Sequence, residues 1–177
     1  SSVVPRPTYN GGVDRALNLL LYPSDLASPG RLVKIARSLS SLFSSTQVVG
    51  IDQGALPTDE AVAPTVHLTR IRGASLGAPL GGLRVVGAWG ARVYRRFACE
   101  RVGAVSAQNL FLLPLAHALA RRTGAVFAYN THELETETVG SAGLRQRLQR
   151  VIERRYIRRA DVVSVVNESI AQWYREA

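Results

Sequence analysis

Residues 104–135 read AVSAQNLFLLPLAHALARRTGAVFAYNTHELE, and they decide the fold. Two short apolar runs, Ala104 to Ala107 and Ala125 to Tyr129, have the length and composition of strands. Between them the spacing predicts a helix from about Pro114 to Arg122, and Gly124 stands where a left-handed C-cap is wanted. Strand, helix and strand joined so closely make a βαβ unit with parallel strands. Each strand runs into polar groups: Gln108 and Asn109 after the first, Asn130, Thr131, His132 and Glu133 after the second. Open parallel sheets bind ligands beyond the carboxyl ends of their strands. Both clusters should therefore face one crevice, the candidate site.

Working outward, the same alternation continues on both sides. Residues 1–15 carry two prolines and a Gly-Gly pair and read as an irregular lead-in. Ala16 to Tyr22 is a continuous apolar run, as in a strand buried on both faces. Ser28 is placed to N-cap a helix with Pro29 at its first position, and Leu32, Ile35, Ala36 and Leu39 recur on one side of it. Thr46 to Ile51 and Thr65 to Ile71 read as strands, with Gln53 to Pro64 as a polar loop between them. From about Leu83 to Arg101, Trp89, Val93 and Phe97 repeat at helical spacing, and Cys99 falls in that stretch as a small buried hydrophobe. Downstream of the central unit, a helix from Leu144 to about Ala160 has Leu148, Val151, Ile152 and Tyr156 as its expected buried stripe. A strand over Asp161 to Val166 and a last helix carrying Ile170 and Trp173 complete the pattern. The expected architecture is one α/β domain over residues 16–177, a doubly wound, mainly parallel sheet of about six strands.

Bulk properties bound the function. The 177 residues suffice for one domain with a real core, and 46% are hydrophobic. The N-terminal ten residues lack a basic and an apolar signal region, and no apolar run has the length of a membrane span. A single cysteine excludes an internal disulfide and a cysteine-based zinc site. These features point to the cytoplasm. The net charge of +9 is almost wholly arginine, with Lys34 the only lysine. Nucleic acid, anionic lipid and phosphorylated small molecules are all compatible with it, as is a solvated surface.

There is no P-loop, no G-x-G-x-x-G after the first strand and no H-E-x-x-H, which disfavours ordinary nucleotide, dinucleotide and zinc sites. His67 and His117 are isolated and expected to be structural. His132 differs, because it follows a strand's carboxyl end beside Glu133. A neutral imidazole there can hydrogen-bond a sugar hydroxyl or polarise a reacting group. Ser24, Asp25 and Arg31 flank the first strand-to-helix turn on the same side of the sheet, and Arg31 lies near a helix N-terminus that favours anions. Asp25 is equally well read as ordinary turn chemistry.

Four segments carry a resemblance, one of them Thr46 to Asp52, which fills the place of a second strand. YPSDLASPGRLVKIARSLS (22–40), the central unit (103–133) and LQRVIERRYIRRADVVSVVNESIAQWYRE (148–176) occur in the order of the first turn and helix, the "H-A-H-D" and "Y-D-x-H-E" strand ends, and the "E-R-x-x-x-R-x-A-D" segment of one family. From Leu17 onward the chain resembles the N-terminal, acceptor-side domain of the GT-B glycosyltransferases in the large retaining group called family 4. It departs from that pattern at Gln108 and Asn109, where His and Asp are usual, and at Asn130 and Asn167, which replace Asp and Ser.

The resemblance implies a Rossmann-like half of a GT-B fold. It also implies a role for His132 in orienting groups at the anomeric centre, without a metal. Ser24, Asp25, Arg31, Gln108, Asn109, Asn130 and Glu133 become expected acceptor-binding residues. No cofactor is expected in this domain; the nucleotide-sugar donor belongs to a C-terminal domain that the chain does not contain. The acceptor would be a glycan or a lipid-linked sugar, with an anionic membrane surface at the inner face as a further partner. Nucleic acid is disfavoured under this reading. The rival readings are a non-enzymatic basic α/β module for nucleic acid or anionic membrane, and half of a sugar-nucleotide epimerase.

Overall fold

A computed structural model describes residues 16–73, 81–131 and 144–165; for 81–86 and 144–149 it describes the backbone alone. Along these residues the elements are β1 (Leu17–Leu21), α1 (Gly30–Leu39), β2 (Ser45–Asp52), β3 (Asp59–Ala63), β4 (Val66–Arg72), α2 (Gly81–Phe97), β5 (Val102–Ala107), α3 (Leu113–Thr123), β6 (Val126–Thr131), α4 (Leu144–Ile157) and β7 (Val162–Val165). The strands form one sheet in the order β3-β4-β2-β1-β5-β6-β7. Every pairing is parallel except that of β3 with β4. The chain builds outward from β1 through β2 to β4, then crosses back over β1 to begin β5. This is the doubly wound, Rossmann-like arrangement, with its topological switch between β1 and β5.

Alternation along the central strands feeds two cores. Leu20, Val48 and Leu68 point to the face covered by α1, where they meet Leu32 and Ala36. Leu19, Leu21, Val105, Phe127 and Tyr129 point to the opposite face, covered by α2, α3 and α4 through Trp89, Val93, Phe97, Leu113, Ala116 and Ile152. Runs such as LNLLL in β1 are apolar throughout because both faces are covered. Gly124 takes the left-handed conformation expected of it (φ 74°) and donates to Ala120 O, ending α3.

Four expectations change. The stretch 53–64 is not only loop: Asp59–Ala63 forms β3, whose antiparallel course returns the chain to the amino edge without a helix. Its sequence DEAVA lacks strand periodicity because it is a solvated edge, where charges are favoured. Helix α1 begins at Gly30, with Pro29 as its cap residue and no side-chain cap from Ser28. Helix α2 stops at Phe97, so Cys99 lies in the following turn and is exposed. On α4, Val151 is 60% exposed while Glu153 is 4% exposed, so the inward face runs through Ile152, Glu153 and Tyr156. The side chain of Leu148, the end of the expected strand at Val166 and the expected last helix lie outside what is described.

Candidate functional site

The carboxyl ends of β1, β5 and β6 lie side by side at the switch point. There β1 and β5 are joined beyond their last ladder residues, because Gln108 N–H donates to Leu21 O at 3.1 Å. Ser106, on β5, is the hub of a small polar cluster. Its Oγ accepts from Gln108 Nε2 at 3.1 Å and from Asn130 Nδ2, on β6, at 2.9 Å. Ser106 and Gln108 are buried and Asn130 is half-buried, so the cluster joins two adjacent strand ends beneath the surface. Gln108 Oε1 is buried and has no hydrogen-bond partner among the described residues. Asn109 is extended (φ −155°, ψ 146°) and accepts from Phe111 N–H at 3.0 Å, capping the 3-10 turn at Leu110–Leu112 that leads into α3.

On the other side of β1, the loop from Tyr22 to Ser28 is held close to β2. Tyr22 N–H donates to Val49 O, and Ile51 N–H donates to Ser24 O at 2.7 Å. Ser24 Oγ accepts from Leu26 N–H and Asp25 Oδ1 from Ala27 N–H, so both side chains perform turn chemistry within the loop. Leu26 is buried and sits at φ +58°, a left-handed conformation that costs a leucine about 1–2 kcal/mol. Two features compensate. Gly50 on β2 leaves room for the loop: a Cβ there would lie 2.5 Å from Leu26 Cγ and 2.6 Å from Ser24 O. Arg70 on β4, whose side chain is 2% exposed, donates from Nε to Asp25 O (2.7 Å), from Nη2 to Leu26 O (3.1 Å) and from Nη1 to Pro57 O (2.7 Å). Both its terminal nitrogens also reach Glu60 Oε2 at 3.2 Å.

The result is an open cleft of about 210 Å³ lined by Tyr22, Ser24, Leu26, Ser28 and Arg31, above the first turn of α1. The first backbone N–H groups of a helix have no intrahelical acceptor and favour negative charge, and no side chain caps this one. Arg31 is exposed at the same turn.

Of the residues expected at the site, Ser24, Asp25 and Arg31 therefore lie on one side of β1, and Gln108, Asn109 and Asn130 on the other, all at the carboxyl edge. His132 and Glu133 lie outside the described residues; Thr131, the residue before His132, is the last of β6. Sequence reasoning missed Ser106 and Arg70. An arginine at the third inward position of Val66, Leu68, Arg70 was a signal, since a charge there must be paired.

Residues 31–177 match the family model of the glycosyl transferase 4-like domain. The chain belongs to that family. No curated protein matches it by sequence. Among solved structures, sucrose-phosphate synthase from Thermosynechococcus elongatus superposes with a TM-score of 0.74 at 12% identity, over 92% of this chain and 45% of the synthase. A shorter piece of that synthase gives 0.65 at 10% identity, over 90% of this chain and 81% of the piece. Os79 from O. sativa, solved with UDP, gives 0.57 at 16% identity, over 86% of this chain and 46% of its own. The glycosyl transferase 4-like domain thus has the Rossmann-like fold of one half of a GT-B enzyme, and it spans less than half of the synthase and of Os79.

Proposed function

We propose that this transferase domain is the acceptor side of a retaining glycosyltransferase, moving a sugar from a nucleotide-sugar to a glycan or lipid-linked acceptor. The observation that carries this reading is the pairing of two different polar surfaces at one sheet edge. The Ser106–Gln108–Asn130 cluster offers neutral amide and hydroxyl groups, suited to sugar hydroxyls. The cleft over α1, with Ser24 and Arg31, suits an anionic part of the acceptor. Asp25 and Asn109 shape these loops through their backbone bonds. His132 and Glu133, following β6, belong to the same edge in this reading, with His132 orienting groups at the anomeric centre. The donor is held by a second domain, and closure of the two halves excludes water from the reacting centre.

The test uses the full-length protein with a panel of uridine- and guanosine-diphosphate sugars, reading the anomeric configuration of the product by NMR. An inverted product would end the retaining assignment. His132→Ala should lower kcat by about 10²-fold, the lower range for a positioned imidazole, with the melting temperature unchanged; full activity would return His132 to a structural role. Residues 1–177 alone should bind nucleotide-sugars weakly, and micromolar binding by calorimetry would show that the donor site lies here.

A peripheral place at an anionic membrane is the second part of the reading. No helix among the described residues is long and apolar enough to cross a membrane. Trp89, Val93 and Phe97 of α2 are buried against the sheet, so its apolar stripe is already used. Arginines remain exposed among the described residues: Arg92, Arg95 and Arg96 on α2, and Arg154, Arg155, Arg158 and Arg159 at the end of α4. Each contributes about 1 kcal/mol near an anionic surface, with strong salt dependence. Sedimentation with anionic vesicles at low salt, release at high salt and no binding to neutral vesicles are expected. Equal binding to neutral vesicles would remove this part of the reading.

A further inference from the structure

A second concavity lies at the opposite, amino-terminal edge of the sheet. It is an open hollow of about 310 Å³ between the ends of α3 and α4, where Gly124 and Ala125 enter β6 and Asp161 enters β7. Phe127 forms its floor, and the His117 imidazole stands between two rings, 5.6 Å from Phe127 and 5.5 Å from Tyr156 in an edge-on arrangement. Arg121 and Arg159 line it from the two helix ends. Arg159 is held in place, donating from Nη1 to Arg155 O at 2.9 Å and lying 5.8 Å over the Tyr156 ring.

The charges do not balance. Among the described residues the one carboxylate lining the cavity is Asp161, and its Oδ2 already accepts from Phe127 N–H at 2.8 Å. The ion pairs Arg70–Glu60 and Arg96–Asp59 both lie elsewhere. Two arginines and a histidine thus line a space large enough for a small anion, with aromatic rings on either side of the imidazole.

We infer that this cleft binds a dianionic phosphate monoester, clamped by Arg121 and Arg159 with His117 as third donor. Guanidinium forks match phosphate oxygens, and an imidazolium donates from either nitrogen. The chemistry is shared by a soluble phosphorylated compound and by a phosphatidic-acid headgroup. The site lies at the edge away from the acceptor cleft, so it does not rest on the transferase reading.

Binding should be linked to protons. The His117 pKa is lowered by burial, then by Arg159, Arg121 and Arg155, while Asp161 raises it. These groups face His117 from α3, from α4 and from the turn before β7; β6 contributes the uncharged Phe127. A bound dianion offsets the arginines and raises the pKa, so binding takes up a proton. Affinity therefore rises as pH falls through the bound-state pKa and levels off below the free-state value.

Sulfate is the probe of choice, because it stays dianionic where phosphate titrates. In the full-length protein, the His117 ring resonance, assigned by its loss in His117→Gln, should shift saturably with sodium sulfate at ionic strength balanced by chloride. Its pKa should move up. Both effects should vanish when Arg121 and Arg159 are changed to Gln, which spares the fold because both side chains are exposed. A second arm presents phosphatidylcholine vesicles carrying phosphatidic acid or, at matched charge, phosphatidylglycerol. A response to phosphatidic acid that needs both arginines identifies the headgroup as source; a response to sulfate and phosphate but to neither vesicle identifies a soluble compound. A linear sulfate response that survives the double substitution means non-specific screening and overturns the inference, as does no response in either arm.

Discussion

Arg70→Met should lower the unfolding free energy by about 3 kcal/mol, the upper end for leaving a buried acceptor without its donor, although methionine fills much of the same space. The loss comes from the carbonyls rather than from the ion pair. Arg70 donates to the backbone oxygens of Asp25, Leu26 and Pro57, and removing it leaves the buried Leu26 O without its donor. Glu60, by contrast, keeps 45% of its side chain exposed, so Glu60→Gln should cost less than about 1 kcal/mol. Urea unfolding of the two variants checks this. Equal destabilisation by both would mean that the ion pair, and not the carbonyl clamp, fixes the loop. Since the same loop carries Ser24 and Asp25, the acceptor role proposed for it predicts that the Arg70 variant raises the acceptor KM more than it lowers kcat.

Gly50→Ala should cost about 3 kcal/mol, the upper end for overpacking a core, despite adding a single methyl group. The new Cβ would meet Leu26 Cγ at 2.5 Å and Ser24 O at 2.6 Å. A side chain can turn away, but Ser24 O is backbone and is already bound to Ile51 N–H at 2.7 Å. Leu26, at φ +58°, has no strain-free conformation to retreat into within this loop. The decisive comparison is Gly50→Ala in a Leu26→Ala background. If the clash is with the backbone, trimming Leu26 leaves the destabilisation in place; full recovery of the glycine effect would show that the loop backbone is free to move.

The central βαβ unit was legible because every level agreed: apolar strands, a helical interval, a glycine cap, polar strand ends. Gln108 and Asn130 came into view by the same logic, as residues where parallel strands stop. Ser106 did not, since one serine inside an apolar strand has no periodic signal and its meaning lies in its neighbour across the ladder. Strand β3 escaped because its pairing energy comes from the β4 backbone while its side chains face water. Val151 and Glu153 show the limit of apolar spacing on an arginine-rich helix, where the inward face is set by the sheet it lies on. Asp25 and Asn109 look like binding groups in sequence, yet in the fold each has an oxygen engaged by its own loop.

The switch between β1 and β5 also bears on the order of folding. Strands β1, β2, β3 and β4 form one contiguous stretch of chain, and β5, β6 and β7 another; the pairing of β1 with β5 is the seam between them. Asn18 faces Thr46 on one side and Ala104 on the other, so the seam closes a far longer loop than its neighbours do. Long-range pairings must meet their closure entropy before they gain contacts, which makes them slow. The two half-sheets are therefore expected to form first and to zip together at β1, with the Gln108-to-Leu21 bond among the last made. The cleft over α1 then forms with the first half and the Ser106 cluster with the second, and only their meeting at one edge is a late product of folding.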